Sequence, residues 1–187
     1  MSTWRTPNLH VQDQILLRED LAVEFAPGRV AALDLAAMPA LRAGLVCPLL
    51  PRGSTPATLT AAWIHTGWWP QRRLVRLCAA HPSHSHHPIV QRCALPDSSS
   101  VVLAGHRIPS PARTAFDLLT LESPDVAIEG TLHLLATCLT IDQLREQCAV
   151  EKGRRGRSFA RACVDALAHY IRQRDGADAP PADRESR

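Results

Sequence analysis

The sequence predicts an α+β fold: a helical N-terminal part, a small and mostly antiparallel sheet, and C-terminal helices packed on that sheet. Three observations predict it. Short runs rich in Val, Ile and Leu, punctuated by Pro, Gly and Ser, lie between residues 74 and 108. From residue 110 onward, Ser-Pro or Thr openings are followed by apolar residues at helical spacing. Fifteen prolines and nine glycines in 187 residues favour many short elements, and the lack of a heptad or Gly-X-Y period excludes coiled coil and collagen.

The elements follow in order. Val11, Ile15, Leu16 and Leu17 give one face of a short helix, and Pro27-Gly28 makes a turn. Val30, Leu33, Leu35, Leu41 and Leu45 give a second helical pattern, which Pro39 interrupts. Pro48, Pro51, Gly53 and Pro56 form a break. Thr55-Pro56 then reads as the capped start of a helix containing Leu59, Ala62 and Trp63, which Gly67 ends. Leu74–Cys78, Ile89–Leu95 and the run Val101–Ile108 read as three strands, with Gly105 at a bulge or bend. Ser110-Pro111 opens a helix with Ala112, Ala115, Phe116 and Leu119 on one face. Ser123-Pro124 opens the next, with Ile128, Leu132 and Leu135 inward. Thr140 and Gln143 form a capping box for a third, whose buried side holds Ile141, Leu144 and Cys148. After Gly153–Gly156 comes the clearest helix, with Phe159, Ala162, Cys163, Ala166, Leu167 and Tyr170 as an apolar stripe.

These elements divide into an N-terminal helical region (1–50), a main domain (54–174) and a polar, Pro-rich tail (175–187) expected to be disordered. Hydrophobic residues are 45% and charged residues 21%, which suits a globular domain with a real core. Six cysteines without a C-x-x-C pair read as free thiols on or near apolar faces in a reducing cytoplasm. No secretory signal or membrane span is expected, because charges and prolines interrupt the apolar stretches. The net charge of +3 permits a polyanion partner without requiring one. All the basic residues but Lys152 are Arg, a skew that a GC-rich genome explains as readily as phosphate binding.

The strongest charge signal is Lys152, Arg154, Arg155 and Arg157, continued by Arg161. Residues 152–174 hold seven Lys/Arg and one Asp. Glycines that let backbone approach a polyanion, and a helix N-terminus behind them, suit nucleic-acid phosphates. The alternative is a solvated connector whose arginines pair with neighbouring carboxylates. His81, His84, His86 and His87 raise zinc as a possibility, but their spacing matches no zinc signature, and a polar hairpin loop is the expectation. Arg113 and Asp117 form an i,i+4 pair, and Arg113 sits badly in the macrodipole of a helix start. A tertiary acceptor for it, a loop carbonyl or a buried carboxylate, is expected. Trp63, His65, Trp68 and Trp69 surround Gly67, as a core edge or a stacking platform. No phosphate loop, nucleophile elbow or H-E-x-x-H is present, and Glu151-Lys152 lacks the paired Asp of a nuclease centre. No enzyme activity, cofactor or metal is expected.

Three segments stand in order: Leu59–Gly67 (LTAAWIHTG), Gly105–Leu119 (GHRIPSPARTAFDLL) and Gly153–Gly156 (GRRG). Together, over roughly residues 54–170, they resemble the AbiEi-type antitoxin-like proteins common in actinobacteria. The resemblance implies a bacterial, cytoplasmic protein of the type IV toxin–antitoxin class, acting in transcriptional regulation by DNA binding and opposing a nucleotidyltransferase-like toxin. Residues 1–46 lack the winged-helix pattern of that family, and no nuclease-like C-terminal domain is expected after residue 175. The motif positions carried over are Trp63, His65, Gly67, Arg113, Thr114 and Asp117, all with an expected structural role. The rival reading is a protein-interaction module that binds a toxin or sister subunit around Trp68 and Trp69, without DNA.

Overall fold

A computed structural model describes residues 9–71, 73, 75–82 and 90–177. Helices and short, largely antiparallel strand pairs make the α+β fold that the sequence predicts.

The N-terminal part is helix α1 (Val11–Arg18), a hairpin of β1 (Ala22–Ala26) and β2 (Arg29–Ala32), and helix α2 (Pro39–Val46). The hairpin corrects the helical reading of residues 30–35. Pro27-Gly28 is indeed a turn, but the residues on both sides of it pair as antiparallel strands, with Val23 and Phe25 packed against the core and Ala22, Ala26 and Ala31 buried.

Thr55-Pro56 is strand β3, not a helix start. It pairs antiparallel with β4 (Ala79–His81), which pairs parallel with β5 (Val90–Arg92). The predicted strand at 74–78 therefore falls later. Leu74 lies outside the described residues, and the Cys78 N–H donates to Thr60 Oγ1 (2.7 Å) rather than to a strand. Because β4 and β5 run parallel, the histidine-rich segment between them is not a hairpin loop; residues 83–89 lie outside the described residues. The predicted third strand is two, β6 (Ser100–Leu103) and β7 (His106–Pro109). Ala104 and Gly105, both at positive φ (48° and 77°), make the two-residue turn that matches hairpin twist.

Helix α3 (Thr58–Thr66) is the centre of the molecule, and every residue from Thr58 to His65 is buried. Leu59 and Ala62 join one apolar cluster with α4 (Pro111–Leu121), α5 (Pro124–Thr137), α6 (Ile141–Val150) and α7 (Arg157–Ala177). Trp63 and Ile64 join a second, with Ala43 and Val46 of α2 and Ile108 of β7. A helix apolar on all sides has to be enclosed on all sides. Residues on both sides of the proline-rich break thus share one core.

Two of the later helix caps are as the sequence predicts, while Ser123 precedes α5 without a side-chain cap bond and accepts from Arg73 instead (2.9 Å). Ser110 Oγ accepts the Arg113 N–H (3.2 Å), and Thr140 with Gln143 completes a capping box. Two buried faces differ from the reading. In α5 the inward residues are Val126, Ala127, Gly130, Thr131 and Leu134, while Ile128 and Leu132 are exposed. A side chain at Gly130 would stand 2.7 Å from Trp68 and 2.9 Å from Leu118, so the small residue sets which face closes. In α7 the core takes Ala160, Val164, Leu167 and Ala168, and Phe159 and Tyr170 are left outside.

Candidate functional site

The three motif segments converge on α4. Arg113, 1% exposed, leaves the first turn of α4 and uses its whole guanidinium. Its Nε donates to Asp117 Oδ2 (2.9 Å), Nη1 to Glu151 Oε1 (2.7 Å) and Nη2 to Cys93 Sγ (3.0 Å). The expected tertiary acceptor is therefore a carboxylate, the largely buried Glu151 at the end of α6, with its side chain 11% exposed. Gln147 Nε2 donates to the same carboxylate (3.0 Å). Arg154, from the Gly153–Gly156 connector, closes the cluster. Its Nη1 donates to Glu151 Oε2 (3.4 Å), its Nη2 lies 3.4 Å from Asp117 Oδ1, and its guanidinium covers the Phe116 ring at 5.6 Å. Burial raises the Asp117 pKa, against the pull of Arg113 and Arg154. Two cations and two carboxylates balance, which is what a buried charge requires.

The other end of the convergence is the Leu59–Gly67 segment. His65 Nε2 lies 2.7 Å from the Pro109 carbonyl, at the junction of β7 and α4, so that nitrogen carries the proton. Thr114 Oγ1 reaches the same carbonyl (3.5 Å). Burial lowers the His65 pKa, the bond to Pro109 opposes this, and the charge of Arg42 adds to it. Gly67 ends α3 at φ 76°, a left-handed position that a side chain would strain. Arg42, 5% exposed, completes this end through four backbone carbonyls: Ile64 (2.8 Å), Ala36 (2.8 Å), Ala37 (3.0 Å) and His65 (3.0 Å). It meets the free carbonyls of the α3 C-terminus, where a cation is favoured. Trp63 packs behind, with its ring 6.4 Å from Phe25.

The aromatic surface expected at Trp68 and Trp69 is largely used within the chain. Trp68 stacks on His133 (5.2 Å) and bonds Glu129 (3.3 Å), and Trp69 donates to the Arg73 carbonyl (2.9 Å).

The five basic residues grouped by the sequence do not form one surface. Asp117, Glu151 and Phe116 draw Arg154 inward, which corrects its expected place among the nucleic-acid contacts. Arg157 is half-buried, with Nε on the Cys148 carbonyl (2.7 Å). Lys152, Arg155 and Arg161 are exposed. Arg157 and Arg161 line an open groove of about 340 Å³ between α6 and α7. Arg145 joins them from α6, and Asp165 is the groove's single carboxylate. Sequence reasoning missed Arg145, because one arginine on α6 gives no signal until α7 is packed beside it. It also missed Glu151, Cys93 and Arg42 as partners; only the need of Arg113 for an acceptor pointed towards the first.

Cys148 is buried, Cys47, Cys78, Cys93 and Cys163 are half-buried, and Cys138 is exposed. Burial pushes the Cys47 thiol up to about 11 and also raises Cys78, Cys148 and Cys163, which keeps these thiols protonated. Among the described residues, no group of three or more His, Cys, Asp or Glu is placed to hold a metal. No helix among them is long and apolar enough to cross a membrane. No family model matches the chain, and comparison with curated proteins and with solved structures gives no match.

Proposed function

We propose that this protein is an antitoxin-like regulator that acts by binding, without catalysis, and that its nucleic-acid contact is the α6/α7 groove. The reading rests on one observation: Arg145, Arg157 and Arg161 converge on an open groove whose lining holds one carboxylate, Asp165, while exposed Asp142 pairs with Arg145 on the same helix (3.2 Å). Exposed Lys152 and Arg155 extend the positive potential along the connector. The groove suits a phosphate backbone, which asks for several fixed cations and accessible space rather than a closed pocket. Buried Arg113 and Arg42 and half-buried Arg154, which pairs with Asp117 and Glu151, hold the scaffold and make no contact with the partner. Assignment to the type IV toxin–antitoxin class and to transcriptional regulation, with a nucleotidyltransferase-like toxin as second partner, rests on the three-segment resemblance.

The test is fluorescence anisotropy with a short mixed-sequence DNA duplex. The double variant Arg145→Gln/Arg161→Gln is expected to lose at least tenfold in affinity, and Arg29→Gln on the hairpin to lose none. Equal affinity of all three proteins would remove the groove from the reading.

A second reading, a protein-interaction module, draws support from a different surface. Val11 (72% exposed), Ile15 (54%) and Met38 (61%) expose apolar area in the N-terminal part. A wild-type protein that binds no duplex at low salt would leave this as the better account.

A further inference from the structure

Helix α7 carries two apolar stripes, and only one of them is fully covered within the chain. Ala160, Val164, Leu167 and Ala168 face α4 and α6. Phe159 (44% exposed), Ala166 and Tyr170 (56%) form the other with half-buried Cys163, which also touches the core from its edge, and with Ala162 beside it. Their spacing of four, three and four residues keeps them on one line along the helix. At 100° per residue this line lies about 180° from the mean direction of Arg157, Arg161 and Arg172.

Two features select the occupant. First, the stripe is self-complementary about a point between Val164 and Asp165. A two-fold axis there sets Phe159 of one copy opposite Tyr170 of the other, and Cys163 opposite Ala166. Large side chains meet at both ends, and small ones meet in the middle, where the helix backbones can approach closely. Second, the stripe carries no charge. The only charged residues from Phe159 to Tyr170 are Arg161 and Asp165, both on the far side. An antiparallel pair therefore meets no like-charge penalty along its seam and needs no acidic partner.

We infer that α7 pairs antiparallel with α7 of a second copy of this chain through Phe159, Cys163, Ala166 and Tyr170. The stretch is about 17 Å long. One helix pair of that length sits at the small end of specific interfaces, so the dimer is weak and reversible. Both arginine faces point away from the seam, which leaves the two α6/α7 grooves open on opposite sides of the pair. The inference does not depend on nucleic-acid binding. Salt separates the two, because an uncharged seam is insensitive to ionic strength and phosphate contacts are not.

The test is sedimentation equilibrium of the full chain across the micromolar to sub-millimolar range, with circular dichroism as the check on folding. Wild type is expected to show a monomer–dimer equilibrium unchanged between low and high salt. Ala166→Glu, at an exposed position, is expected to weaken it at least tenfold with the helical spectrum intact. Cys163→Lys is expected to do the same. Mixing the two variants is expected to restore association, since only the antiparallel register sets Lys against Glu. A wild type that stays monomeric throughout would overturn the inference. So would undiminished association of Ala166→Glu, and a mixture that fails to associate would overturn the antiparallel register.

Discussion

Arg154 and Arg161 are seven residues apart in one basic stretch, yet they do opposite work. Arg154 turns into the molecule, where Asp117, Glu151 and the Phe116 ring receive it. Arg161 turns out, into a groove shared with Arg145 and Arg157. Burial and available partners divide these residues; charge and sequence position do not. An arginine beside two buried carboxylates holds the fold, because leaving either carboxylate unpaired is costly. An arginine with one carboxylate in view and open solvent beyond it leaves its charge facing solvent. The α4 junction and the α6/α7 groove are thus two arginine-rich regions with opposite tolerance to substitution.

The contrast is sharpest at Arg113. Arg113→Leu leaves Asp117 and Glu151 facing each other in the interior, and a loss of about 3–5 kcal/mol in urea unfolding is expected. A midpoint close to wild type would mean that the cluster is not what holds α4, α6 and the connector together. Next in size is Arg154→Ala, expected to cost about 1–2 kcal/mol through its bonds to Glu151 and its packing on Phe116. Its neighbour Arg155→Ala, with an exposed side chain, should stay within about 0.5 kcal/mol of wild type. Equal costs at the two positions would erase the inward–outward division.

The junction also has a pH signature. Burial lowers the folded pKa of His65 below its unfolded value of about 6.5. Its stabilisation is therefore complete above that unfolded value and is lost as pH falls towards the folded one, by up to about 1.4 kcal/mol per pH unit. The thermal midpoint of wild type is expected to drop between pH 7 and 5 more steeply than that of His65→Gln. Parallel curves would show that the ring is not held neutral against Pro109.

The parts of this architecture written in local sequence were readable. Ser110-Pro111 and the Thr140–Gln143 box name their helix starts because a cap is decided within four residues. The apolar positions of α4 follow from periodicity alone. The β1–β2 hairpin escaped because Val30, Leu33 and Leu41 also fit a helical spacing, and nothing local chooses between the periods. The α7 stripe merged two faces for a similar reason: Ala, Cys and aromatic residues fill adjacent rows, and only the fold decides which row α4 and α6 cover. The α4 cluster was half legible. Arg113 and Asp117 lie one turn apart, whereas Cys93 and Glu151 are 20 and 38 residues away from Arg113 and become its partners only through tertiary packing.

The smallest expected effect on stability belongs to the groove, and there the account is tested most directly. Arg145→Gln/Arg161→Gln should unfold within about 0.5 kcal/mol of wild type. The decisive measurement is the slope of log affinity for duplex DNA against log salt in both proteins. Three groove arginines neutralising phosphates give a wild-type slope of about −2.7, and removing two brings it to about −0.9. An identical slope in the two proteins, or wild-type binding that does not respond to salt, would contradict the assignment of these arginines to the ligand.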